Sequence, residues 1–266
     1  MRKEDVNMFY SGKTDIGKVR STNQDSFAIK SYSDSVLVAI VCDGMGGVQG
    51  GNVASETAVE HFFKSLENKN IINLDDGENI PTEAATAALG QAVTDANTAV
   101  YEKSLTDKEF AGMGTTLTAC IIIGSRMFAA NVGDSRLYLD ASKKLTQITQ
   151  DHSYVQFLID VGDITPEEAK THPYRNRITR AVGIQPEVEC DIFTEELDKY
   201  QNPKILICSD GLCGQVDDTV MHKTVNLARR RNEDDTARLE RICTSLIKKA
   251  LDNGGPDNIT AILISV

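Results

Sequence analysis

Apolar runs that each end on an aspartate constrain this chain more than any other feature. Val36-Leu-Val-Ala-Ile-Val-Cys42 reads as a strand and delivers Asp43 into Gly44-Met-Gly-Gly47, which is too glycine-rich to be expected as helix. The device recurs. Lys204-Ile-Leu-Ile-Cys-Ser-Asp210-Gly211 repeats it, Ala130-Asn-Val-Gly-Asp134 ends on a third carboxylate, and Asp257-Asn258 stands just before the apolar run Ile259 to Val266. Asp-Gly by itself is a turn signal. As a set, carboxylates gathered without many basic partners repel one another unless a cation holds them. No His or Cys occurs at ligand spacing, so oxygen-only ligation favours Mg²⁺ or Mn²⁺ over zinc.

The 266 residues, 41% hydrophobic and 25% charged, suffice for a sizeable core, and no linker or fixed-period repeat divides them. We expect one domain over 1–266, with the polar stretch Glu67 to Pro81 as a surface loop. The formal charge of −11 argues against nucleic acid, whose binding is mainly phosphate neutralisation. The start, Met1-Arg-Lys-Glu-Asp-Val6, lacks a signal-peptide core, and no run approaches the roughly 20 apolar residues of a membrane span, so a cytoplasmic location is expected. The six cysteines form no C-x-x-C pair and read as reduced thiols.

Helical spacing appears over Pro81 to Leu105, Ser55 to Leu66 and about Asp234 to Asp252. Strand-like runs cover Val36 to Cys42, Thr116 to Ile123, Met127 to Val132, Arg136 to Leu139, Lys204 to Cys208 and Ile259 to Val266, with Gly124-Ser125 as a hairpin turn. Strands in hairpins with grouped helices indicate an α+β protein whose antiparallel sheets are covered by helices, rather than a doubly wound parallel sheet. The stretch 151–180 is irregular, with a capped start at Thr165-Pro166, and reads as a surface flap.

Two tempting motifs fail. In Gly44-Met-Gly-Gly-Val-Gln49 the third glycine of a dinucleotide fingerprint would fall on Gln49. Cys120-Ile-Ile-Ile-Gly-Ser-Arg126 matches C-x5-R in form, but a strand at about 3.3 Å per residue carries the Cys away from the Arg. The histidines His61, His152, His172 and His222 have no identifiable nucleophile partner, and His61 and His222 are expected to be surface or packing residues. Arg20-Ser-Thr-Asn-Gln-Asp25 sets a guanidinium near another carboxylate, and Arg suits a phosphate dianion.

Taken in order, Arg20-x-x-Asn-Gln-Asp25, Asp43-Gly-Met-Gly-Gly47, Gly112-Met-Gly-Thr-Thr116, Val132-Gly-Asp-Ser-Arg136, Asp151-His-Ser153, Ile178-Thr-Arg-Ala-Val-Gly183, Ser209-Asp-Gly-Leu212 and Pro256-Asp-Asn-Ile-Thr260 form a pattern. It resembles the metal-dependent protein phosphatases of the 2C type in their bacterial form, over about residues 10 to 266. The resemblance implies a four-layer αββα sandwich, two antiparallel β-sheets flanked by helices, with a small flap subdomain. It implies hydrolysis of phosphoserine and phosphothreonine in proteins by water activated between two Mn²⁺ or Mg²⁺ ions, with a third ion in many bacterial members.

Carried over by motif, Asp43, Asp210 and Asp257 hold the first ion, and Asp43 and the Gly44 carbonyl reach the second. Asp25 supports the second through water, Asp134 and Asp210 match the third, and Arg20 grips phosphate. Asp43, Asp210 and Arg20 would then be the catalytic group. Two departures stand out: Met45 occupies the place of a histidine proposed as general acid in animal members, and Gly214 replaces an acidic residue that many members carry. The implied partners are phosphorylated proteins and an opposing Ser/Thr kinase, for a chain acting as a monomer. Competing readings are a sporulation or sigma-factor phosphatase, a catalytically dead binding protein, which would lack a metal aspartate, and a nuclease, which would want a basic groove.

Overall fold

The computed structural model describes residues 8–68, 72–106, 108–141 and 143–266, so the N-terminal stretch Met1 to Val6 lies outside the described residues. In chain order the strands are β1 (Phe9–Asp15), β2 (Asp25–Ser33), β3 (Val36–Met45), β4 (Gly114–Thr115), β5 (Leu117–Ile123), β6 (Arg126–Val132), β7 (Arg136–Ala141), β8 (Lys144–Gln147), β9 (Asp191–Glu196), β10 (Lys204–Cys208) and β11 (Ile259–Ser265). The helices are α1 (Gly47–Leu66), α2 (Thr82–Thr106), α3 (Tyr154–Asp160), α4 (Pro166–Ala169), α5 (Asp210–Cys213), α6 (Asp218–Val225) and α7 (Asp235–Asp252).

Two antiparallel sheets result, one ordered β1-β11-β10-β7-β8 and the other β2-β3-β5-β6-β9, with β4 paired to the end of β3. β3 shows why its sequence is apolar throughout. Val36, Val38, Ile40 and Cys42 face the core shared with α1 and α2, whereas Leu37, Ala39 and Val41 face the opposite sheet. A strand alternates its side chains between faces, so a strand with covered faces on both sides needs apolar residues at every step.

Ile205, Ile207, Ile262 and Ile264 supply the other side of the inter-sheet layer. On the far face Leu206, Cys208, Ala261 and Leu263 pack with Leu239, Ile242, Leu246 and Ala250 of α7. The layering is therefore αββα, as the motif resemblance implied.

Several elements differ from the sequence reading. α1 begins at Gly47, not Ser55, so Gly44-Met45-Gly46 stays outside the helix while Gly50 and Gly51 lie within it. Close packing outweighs the low helix propensity of glycine there: a Cβ on Gly51 would stand 2.6 Å from the Gln24 side chain, and one on Gly50 3.1 Å from Met113. Strands β1, β2, β8 and β9 were not legible, since their residues are mostly half-buried or exposed. The stretch 67–81 is not merely a surface loop, because Ile72, Leu74 and Ile80 enter the core.

The Gly124 turn has φ +57°, as a tight hairpin requires. Thr165 caps α4 in a reciprocal capping box with Glu168. α3 buries none of its residues, and α3 and α4 form the lobe between Ser153 and Ile178, which pair at its neck.

Candidate metal centre

All five aspartates singled out in the sequence stand at ends of the sheets. Asp25 opens β2 directly opposite Asp43 near the end of β3. Asp134 lies in the turn between β6 and β7, Asp210 follows β10 as the first residue of α5, and Asp257 precedes β11. Asp25 ties the two sheets together: its Oδ2 accepts hydrogen bonds from Ser209 Oγ (2.8 Å) and Thr260 Oγ1 (2.6 Å) of the other sheet's strand ends.

Short residues let these loops close on one another. A Cβ on Gly44 would lie 2.0 Å from the Gly51 carbonyl oxygen, and one on Gly211 would lie 1.9 Å from that of Asn258. The glycine after each aspartate thus serves close backbone approach rather than turn formation. The Asp43 N–H donates to Thr116 Oγ1 (2.9 Å), and the Asp43 carbonyl accepts from Thr115 Oγ1 (2.9 Å) and the Thr116 N–H (2.9 Å). Asn258 fastens the N-terminal loop, accepting from the Gln24 N–H (2.8 Å) and donating to the carbonyls of Ile16 (2.9 Å) and Thr22 (3.0 Å).

The electrostatics follow from burial and crowding. Burial pushes the Asp25 carboxyl up to about 7, with the charges of Asp210 and Asp257 acting the same way against the lowering bonds from Thr260 and Ser209. Burial first, then Asp25, Asp210, Asp134 and Asp257, raises Asp43 well above the usual carboxylate range. Asp134 is raised by burial and by Asp210 and Asp151. Asp210 is raised by burial and Asp257, partly offset by Asp43, Arg20 and Arg136.

The oxygens Asp25 Oδ1 and Asp210 Oδ1 are buried with no hydrogen-bond donor. Among the described residues no three His, Cys, Asp or Glu side chains converge closely enough to hold a metal ion as they stand. What the aspartates share is unused acceptor capacity and mutual repulsion. Both fit divalent Mn²⁺ or Mg²⁺, which take oxygen donors and reverse the penalty on ionised carboxylates.

Arg20 does not stand free. Its Nη2 donates to Asp257 Oδ2 at 2.7 Å, and Asp257 raises its already high pKa while the guanidinium stays half exposed. The Gly214 departure has a local reason, because a Cβ there would stand 2.7 Å from the Asp210 carbonyl oxygen, which accepts the Gly214 N–H. Met45 pairs with Gly114 beside the aspartates.

His222 binds Asp140 at 2.5 Å, and His152 is buried against Gly133, with its pKa lowered mainly by burial. Cys120 is buried between the sheets, while the Arg126 guanidinium reaches the Ile80 carbonyl and Thr82 on another element, so C-x5-R has no site meaning here. The supporting residues Thr115, Thr116, Ser209, Asn258, Thr260 and His152 were given no role from sequence. All six stand inside the motifs of the sequence, which marked their positions but not what they hold.

Comparison with known proteins points one way. Residues 17–246 match the sequence profile described as Protein phosphatase 2C. The serine/threonine phosphatase stp of Listeria monocytogenes is 34% identical over 252 residues, 95% of this chain and 93% of that protein. The crystal structure of the serine/threonine phosphatase Stp1 from Staphylococcus aureus superposes with a TM-score of 0.84 at 33% identity, covering 100% of this chain and 98% of that one. The catalytic domain of the serine threonine protein phosphatase PstP, crystallised with two manganese ions, gives a TM-score of 0.78 at 33% identity, covering 97% and 98%.

Proposed function

Because this chain belongs to the protein phosphatase 2C family of metal-dependent serine/threonine phosphatases, we propose that Asp25, Asp43, Gly44, Asp134, Asp210 and Asp257 hold its metal ions and that Arg20 grips the substrate phosphate. The observation that carries this is the pair of buried, donorless oxygens Asp25 Oδ1 and Asp210 Oδ1 within one crowded carboxylate group. When bound, Mn²⁺ or Mg²⁺ supplies Lewis-acid activation of water and neutralises charge on the phosphoryl oxygens.

The protein residues do the holding. Asp43, Asp210 and Asp257 take the first ion, Asp43 and the Gly44 carbonyl the second, and Asp25 backs the second from its place under Ser209 and Thr260. Asp134 and Asp210 take a third. Arg20 presents a planar fork of N–H donors that matches phosphate oxygens in pairs, and its hold on Asp257 aims it into the carboxylate group. With Met45 in the place of that histidine, a water molecule would supply the leaving-group proton.

The substrates are phosphoserine and phosphothreonine proteins, and we place the chain opposite a Ser/Thr kinase, as a cytoplasmic monomer. No described helix is long and apolar enough to cross a membrane. Every metal aspartate is present, against the reading of a dead binding domain.

The test is hydrolysis of a phosphothreonine peptide and p-nitrophenyl phosphate with Mn²⁺: chelator should abolish it and thiol alkylation should not. Asp210→Asn should lower kcat by about a hundredfold or more, in line with loss of a main charge stabiliser, and reduce Mn²⁺ binding in calorimetry. Near-normal turnover of that variant in excess Mn²⁺ would overturn the assignment.

A further inference from the structure

The buried side chain of His152 joins the neck of the flap to the Asp134 turn. Its backbone N–H donates to the Gly133 carbonyl (2.9 Å), and its ring Nδ1 accepts the Gly133 N–H (3.1 Å). His152 thereby holds both main-chain groups of the residue before Asp134; the carbonyl accepts a second hydrogen bond from Asn131 Nδ2 (3.2 Å), whereas the N–H has the ring alone among the described residues. Gly133 has reason to be held. Its φ is +107°, and Thr116 stands 2.6 Å from where a Cβ would lie, so the turn takes a conformation open to glycine and pressed against Thr116, the residue between β4 and β5.

The same histidine reaches the flap. Its carbonyl accepts the Thr179 N–H (2.8 Å), and next to it Ser153 pairs with Ile178 to close the neck. The ring is fixed from outside. Because Nδ1 accepts, the ring proton is on Nε2, which donates to Asp191 Oδ2 at 3.2 Å. Arg180 Nη1, 3.0 Å from Nε2, is itself a donor-only group and gives one of its two protons to Asp191 Oδ1 at 3.0 Å, so it cannot accept the ring proton. Asp191 opens β9 opposite Asn131 of β6, so the ring is braced on the strand paired with the one that leads into the Gly133 turn.

We propose that His152 is a positioning residue that locks the Gly133-Asp134 turn to the neck of the flap and so presents Asp134 to a metal ion. The metal half of this rests on the reading of Asp134 given above. Residues behind metal ligands commonly change affinity or activity by about ten- to a hundredfold.

The experiment compares the full chain with His152→Leu and His152→Asn, the asparagine keeping an acceptor at the position of Nδ1. His152→Leu should speed hydrogen exchange at the Gly133 amide, weaken Mn²⁺ binding in calorimetry by about tenfold, and lower kcat on p-nitrophenyl phosphate while leaving KM unchanged, since Arg20 is untouched. His152→Asn should restore Mn²⁺ affinity and kcat to within about threefold of the parent, a rescue that loss of packing alone does not predict. If His152→Leu fails to fold, His152→Gln takes its place, since its amide matches Nε2 and not Nδ1.

Unchanged Gly133 exchange, or equal impairment of the leucine and asparagine variants, would overturn the role of the ring. Asp134→Asn measured alongside separates the two halves: unchanged Mn²⁺ stoichiometry there would sink the metal half, whereas faster Gly133 exchange in His152→Leu would still support the hold.

Discussion

Asp25 is the clearest case of one side chain whose properties the fold sets. Its carboxyl is pushed up to about 7, above the unfolded value of 3.8, so the folded chain holds a proton that the unfolded chain releases. The stability this confers is present below about pH 4 and lost as pH rises through about 7; Asp43, Asp134 and Asp210 shift in the same direction. Chelated protein should therefore lose melting temperature between about pH 4 and 7, and Mn²⁺ should remove that loss. Melting curves across this range, with chelator and with Mn²⁺, check it. Gly44→Ala offers a second test, since its methyl would enter the space of the Gly51 carbonyl. We expect a cost of about 1–3 kcal/mol in urea unfolding and loss of most Mn²⁺-dependent activity. Both residues were legible in sequence as candidates; their surroundings were not. Ser209 and Thr260, which bind Asp25, lie 184 and 235 residues away along the chain.

At the scale of elements, the strands that lead into Asp43, Asp134 and Asp210 were read with little error, whereas β2, which opens on Asp25, and the first turns of α1 were not. Periodicity marks its buried face only from about Ser55, because the first turns are set by backbone contact with Gln24 and Met113 rather than by apolar side chains. Helix α2 has a further task. Buried Asn97 accepts the Gly183 N–H (2.8 Å) and donates to the carbonyls of Gln185 (3.0 Å) and Pro186 (3.1 Å). Beside that loop Val182 pairs with Thr115, which pairs with Gly44 of the metal loop. Asn97→Ala should cost about 1–3 kcal/mol in chemical denaturation, since it leaves buried backbone groups without partners. It should also raise the Mn²⁺ concentration needed for half-maximal activity.

For the whole molecule, three apolar layers set the architecture, and the aspartates sit where the two inner sheets end together. An ion that binds only the folded state stabilises it by mass action, about 2.7 kcal/mol at a hundredfold excess over Kd. Chelator should therefore lower the melting temperature by about 5–10 °C near neutral pH, read by calorimetry. The amino-acid order alone determined which carboxylates end strands, which runs are apolar, and hence the fold class, because these are properties of neighbouring residues. The pairing of Arg20 with Asp257, the raised pKa of Asp25, the start of α1 and the grip of His152 on Gly133 were decided by the tertiary structure. Each depends on burial or on contacts between segments remote along the chain, and no local pattern encodes those.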